Sequence, residues 1–168
     1  MNASSLKSIK DELNNLKSNE LVETCLRLAK YKKENKELIT YLLFNAHDEQ
    51  NYISTVKKEI ESQFKLVNKK NIFYAKKSIR KALRIANKFI KYSGKKSTEV
   101  ELLIYFCILL KETGIPLKNY PVLGNLYNRQ LSRIKKSFIS LHEDLQYDYR
   151  IQIEKLMVEE GSRGTRWF

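Results

Sequence analysis

Residues 97–116 read STEVELLIYFCILLKETGIP, and this stretch decides the fold. From Val100 to Leu110 every residue but Glu101 is apolar, so a helix laid through it is apolar on nearly every side. A helix of that kind belongs in the middle of a protein rather than on its surface. Thr98 and Glu101 have the Thr-x-x-Glu spacing of a capping box, which predicts a helix over about Thr98–Glu112. Gly114 and Pro116 stop it. The run is 11 residues long, where a membrane span needs about 20.

Outward from this centre, apolar residues recur at helical spacing. Upstream, Ile72–Tyr92 is a long amphipathic helix closed by Gly94 as a left-handed cap. Before it, Asp48 opens a helix with Ile53, Val56, Ile60, Phe64 and Val67 on one stripe. Asp48 and Glu49 suit the positive end of its dipole. Asn35–Ala46 and Asn19–Tyr31 are two further helices or one bent one, with Ser18 as cap and Leu21, Cys25 and Leu28 on a shared face. Leu6, Ile9, Leu13 and Leu16 predict a peripheral N-terminal helix within residues 1–17.

Downstream, Gly114–Gly124 holds both prolines and reads as a loop. A last helix then runs from about Asn125 toward Glu160. Tyr127, Leu131, Ile134, Phe138, Leu141 and Leu145 alternate by four and three along it, an apolar seam internal to the fold or shared by two chains. Oligomeric state is left open by this pattern. Two short strings echo each other, His47-Asp48-Glu49 with Tyr52 and His142-Glu143-Asp144 with Tyr147.

The expectation is an all-α, single compact bundle of six or seven helices. One helical domain spans residues 1–161, and 162–168 form a basic, aromatic tail with Arg163, Arg166 and Trp167. The 168 residues are 42% hydrophobic, too many for a disordered chain, and 5 Gly with 2 Pro are too few for a turn-rich β fold. Cys25 and Cys107 both lie in apolar helical segments with no CxxC pair, so both are expected as buried free thiols. The N-terminus lacks the apolar core of a signal peptide, and a cytoplasmic protein with no membrane partner is expected.

Charge carries the functional signal. The chain holds 32 Lys+Arg against 19 Asp+Glu, a net +13. Residues 62–98 contain 12 Lys/Arg and no acid, so nearly all the excess sits in one segment. Advancing about 100° per residue from Lys77 puts Lys81, Arg84, Lys88 and Lys91 within about 40° of it, with Arg80 and Lys76 extending the arc. Tyr74 and Tyr92 flank this arc, and Phe73 lies in it near the helix start. Cations beside aromatic rings suit nucleic acid, phosphates meeting charge while bases stack. Arg129, Arg133 and Lys136 share a face of the last helix and extend the patch if the two helices lie side by side.

Two other readings compete. Lys outnumbers Arg 24 to 8 and Asn and Ile are frequent, as an AT-rich genome produces, so the face is alternatively only solvated or paired internally with acidic patches such as Asp11 and Glu12 or Glu143, Asp144 and Asp148. An adaptor for an acidic protein is the other alternative, anchored by the Tyr127–Leu145 seam or by Trp167 and Phe168. No phosphate-cradling Gly-rich motif and no His-Glu-x-x-His occurs. The two His-acid clusters, with Tyr147 and Asp148, form a metal site only if the fold brings them together. A non-catalytic module without metal or cofactor is therefore expected. ETCLRLAKYKKENKELITYLLF (23–44), YAKKSIRKALRIANKFIKYSG (74–94) and STEVELLIYFC (97–107) resemble uncharacterised all-helical bacterial proteins, over about Leu21–Tyr149. The resemblance implies a bacterial cytoplasmic setting and assigns no residue a role.

Overall fold

A computed structural model describes residues 2–158. They form eight α-helices, a π-helical turn at Tyr41–Asn45 and a 3₁₀ turn at Leu117–Asn119, with no strand among them. None of the described helices is long and apolar enough to cross a membrane. The chain divides into two compact units, 1–44 and 45–168. The expected tail, including Arg163, Arg166, Trp167 and Phe168, lies outside the described residues.

The first unit holds α1 (Leu6–Asn15), α2 (Ser18–Tyr31) and α3 (Lys33–Thr40). Ser5 caps α1, its hydroxyl accepting the Ser8 N–H at 3.1 Å. Ser18, expected to cap α2, is instead its first residue. The exposed N–H of Lys17 is taken by the Glu20 carboxylate at 2.7 Å, a charged acceptor at the positive helix end. α2 and α3 are separate helices rather than one bent rod, because Lys32 is extended (φ −142°, ψ 148°). The Asn35 amide caps the break by donating to the Leu28 carbonyl at 2.9 Å. Three short helices bury little. Among residues 2–44 only Tyr41 is buried, and Leu6, Ile9, Leu13 and Leu16 stay exposed. Cys25 is exposed too, against expectation, while Cys107 is buried.

The second unit contains α4 (Glu49–Lys65), α5 (Ile72–Ser93), α6 (Lys96–Glu112), α7 (Pro121–Phe138) and α8 (Glu143–Val158). α6 is the centre, with α4, α5, α7 and α8 all packed on it. Leu102, Leu103, Phe106, Cys107 and Leu110 are fully buried on several of its sides. Its neighbours' directions follow from cross-contacts. Lys57 and Phe64 meet Glu101 and Phe106 in the same order, so α4 runs parallel to α6. Tyr149 reaches Glu101 and the Leu156 carbonyl reaches Lys111, so α8 does also. α5 and α7 run the opposite way. Tyr52 of α4 donates to the Phe89 carbonyl, and Arg133 of α7 meets Glu99 while Tyr127 meets Lys111.

The helix stops follow local chemistry. Asp48 caps α4 by accepting the Asn51 N–H, and Gly94 (φ 66°) closes α5 in the left-handed region that costs glycine least. α6 begins at Lys96 rather than at the expected Thr98 box. Thr98 is buried one turn in and donates to Glu49, while Glu101 binds Lys57 (2.7 Å) and Tyr149 (2.9 Å). Tertiary partners thus outbid the local cap. Burial and the Glu101 carboxylate push the Tyr149 hydroxyl up, which keeps it a donor in this contact.

Two corrections concern the C-terminal half. α7 starts at Pro121 rather than Asn125, since proline's fixed φ suits the first helical position. The expected helix from Asn125 toward Glu160 is two helices, which makes eight rather than six or seven. After Phe138 the backbone tightens, Ser140 and Leu141 donating to the carbonyls three residues back. Gln146 then donates to the carbonyl of Leu141 at 2.9 Å and covers the end of α7. The seam is internal from Tyr127 to Phe138, leaves Leu145 exposed, and resumes with Tyr149, Ile153 and Leu156. The echo between His47-Asp48-Glu49 and His142-Glu143-Asp144 marks two helix starts with acids in the first turn.

Candidate functional site

α5 sorts its residues by face because charged and apolar residues alternate with the period of a helix. Ala75, Ile79, Ala82, Ala86 and Ile90 are buried toward α4 and α6. Lys77, Arg80, Lys81, Arg84 and Lys91 are exposed on the opposite side. None of these five forms an ion pair with a described residue. Other cations of the unit do find acids. Lys57 binds Glu101, Lys65 binds Glu61, Lys95 binds Glu49 and Lys96 reaches Glu99. Internal neutralisation therefore stops short of the outer face of α5.

The remaining members of the arc are half-buried. Lys76 lies over the Tyr120 ring at 5.5 Å and Lys88 over Phe89 at 4.5 Å. Of the two flanking tyrosines, Tyr74 is 55% exposed but Tyr92 is buried. Tyr92 stands edge-on to Phe89 at 5.9 Å, near the end of α5 where α4 packs, and offers no open stacking face. Sequence periodicity placed it at the arc's edge, where packing rather than angle decides exposure.

The structure links α5 to α7 through Arg133 and Asn87 rather than by packing their basic faces against each other. Lys76 meets Tyr120 and Asn87 meets Arg133 in the same order along both helices, so they run parallel over α6. α5 itself presents an open groove of about 500 Å³ lined by Phe73, Lys76, Lys77, Arg80, Leu83, Arg84 and Asn87. Asn87 lines the groove from α5 and carries no sequence signal for that role.

Arg133 is held within the fold rather than presented to a ligand. Its guanidinium donates to Asn87 (2.6 Å), Gln130 (3.2 Å) and Glu99 (2.7 Å). Glu99 also accepts from Ser137 at 2.6 Å and pairs with Lys96 at 3.3 Å. Arg129 and Lys136, one turn to either side, are exposed and form no ion pair among the described residues. Burial pushes the Glu99 carboxyl up, but hydrogen bonds from Ser137, Arg133 and Lys96 and the charge of Arg133 outweigh it. The net result is a pKa below the ordinary 4.5.

A carboxylate whose folded pKa is depressed contributes stability above its unfolded pKa, and loses it as pH falls through the folded value. Glu99→Gln is therefore expected to cost roughly 1.5–3 kcal/mol at pH 7, the range for hydrogen bonds to charged groups. The gap between wild type and variant in urea unfolding should narrow below about pH 4.5. A gap independent of pH would dismiss the ionic knot.

The acid-rich clusters do not assemble. His47 and His142 are both exposed, and His142 Nδ1 lies 3.2 Å from Asp144. No group of three His, Cys, Asp or Glu side chains is arranged to hold a metal ion among the described residues. The seam expected as an adaptor's anchor is buried at Tyr127, Leu131, Ile134 and Phe138 and exposed at Leu145. No family model, curated protein or solved structure matches this chain.

Proposed function

We propose that the protein is a non-catalytic binding module whose α5 face contacts the phosphates of a nucleic acid. The observation that carries this reading is the set of five exposed cations, Lys77, Arg80, Lys81, Arg84 and Lys91, without a carboxylate partner among the described residues. Like charges at i,i+4, as in Lys77/Lys81 and Arg80/Arg84, destabilise a helix by a few tenths of a kcal/mol each. A row of phosphates relieves that repulsion and releases its own counterions. Arg129 and Lys136 extend the same field from α7.

The test is binding of a labelled single strand and a duplex of equal length across a salt series. Five to seven phosphate contacts give a slope of log affinity against log salt between about −3.5 and −5 on a single strand. Absence of binding to both at low salt, or a slope near zero, rejects the reading and leaves a solvated face or an acidic protein as the alternatives.

A further inference from the structure

We infer that the groove along α5 takes a single strand rather than a duplex, with a base stacked on Phe73; this rests on the phosphate-binding reading above. Phe73 is 70% exposed, although α5 has a complete apolar stripe on its other side. It lies on the cationic arc, one turn before Lys76 and Lys77 and two before Arg80. It lines the groove together with those three cations and Arg84. From Phe73 to Arg84 the groove follows α5 for roughly 16 Å.

The ring distinguishes the two ligand forms. In a duplex the base faces are stacked within the helix, and a backbone-only contact uses cations alone. A bulky apolar ring standing in that row holds a duplex off the cations beside it. A single strand exposes base faces, and an aromatic ring amid cations is the arrangement that stacks them without sequence preference. Tyr74, edge-on to Phe73 at 5.6 Å and 55% exposed, props the ring from the neighbouring position. Lys76, which also lines the groove, lies over the Tyr120 ring at 5.5 Å.

The experiment compares oligothymidylate with a duplex of the same length, on the full chain and on Phe73→Ala, Phe73→Tyr and Lys81→Ala. Tighter binding of the single strand is expected, with a loss of about tenfold or more in Phe73→Ala. Phe73→Tyr should restore it, and the duplex should lose no affinity in Phe73→Ala, where the ring that holds it off the cations is gone. Lys81→Ala should weaken both ligands, because Lys81 lies on the arc outside the groove lining. Phe73 is exposed, so circular dichroism should find all three variants folded. Equal affinity for the two forms, or no effect of Phe73→Ala on the single strand, overturns this inference while leaving phosphate binding by α5 intact. Failure of both ligands to bind overturns phosphate binding itself, and the single-strand preference with it.

Discussion

Reversing the charge at Lys81, Arg84 and Lys88 to Glu should abolish nucleic-acid binding while leaving the protein folded. The three side chains lie within about 40° of Lys77 on α5. Losing three phosphate contacts alone flattens the salt slope by about 2 on a single strand, and the new carboxylates repel the rest of the backbone. Stability should move the other way. Lys81 and Arg84 are exposed and form no ion pair among the described residues, so no such contact is lost with them. Glu at 81 and 84 would instead face Lys77 and Arg80 at i,i+4, replacing repulsion by attraction of a few tenths of a kcal/mol per pair. Anisotropy titration and urea unfolding on one preparation measure both quantities. A variant that still binds with an unchanged slope places the polyanion site elsewhere. A variant that unfolds shows that the cations are structural.

Phe106→Ala should be the most damaging single change in the second unit, at about 3–5 kcal/mol. Phe106 is fully buried in the middle of α6 and stands edge-on to Phe64 at 5.4 Å. Four helices pack on α6, and none can follow a shortened side chain without leaving another neighbour. Most of the lost volume therefore remains as a cavity. Small domains have only about 5–15 kcal/mol to lose, so the urea midpoint should drop sharply with little change in slope. By contrast, Phe73→Ala removes an exposed ring of the same size and should stay within about 0.5 kcal/mol. A loss below about 1 kcal/mol for Phe106→Ala would show that α6 is not the centre of the core.

Much of this architecture was legible from residue type and spacing. A segment apolar on every side has no surface position to occupy, and Val100–Leu110 is accordingly the core helix. Gly94 and Asp48 terminate and start helices through their own backbone and side-chain geometry, so local reading located both. The α7–α8 break carries a local signal of its own. Glu143 and Asp144 open a helix just as Asp48 and Glu49 suggest for α4, but the 4-3 apolar spacing ran across the junction and masked it. Thr98 shows the opposite case. Its capping spacing was present, and a buried contact with Glu49, 49 residues away, overrode it.

The binding face divides along the same line. Sequence by itself determined that the chain is helical, which segment is central, and that seven of the twelve cations of residues 62–98 gather on one side of one helix. These follow from backbone periodicity and side-chain polarity, which act within a few residues. Only the tertiary structure decided that Tyr92 is buried and Phe73 open. Nor could sequence show that Arg133 is tied to Glu99 and Asn87. Those outcomes depend on how two parallel helices settle against the shared surface of α6. That register is set by packing between residues dozens of positions apart, to which no local pattern is sensitive.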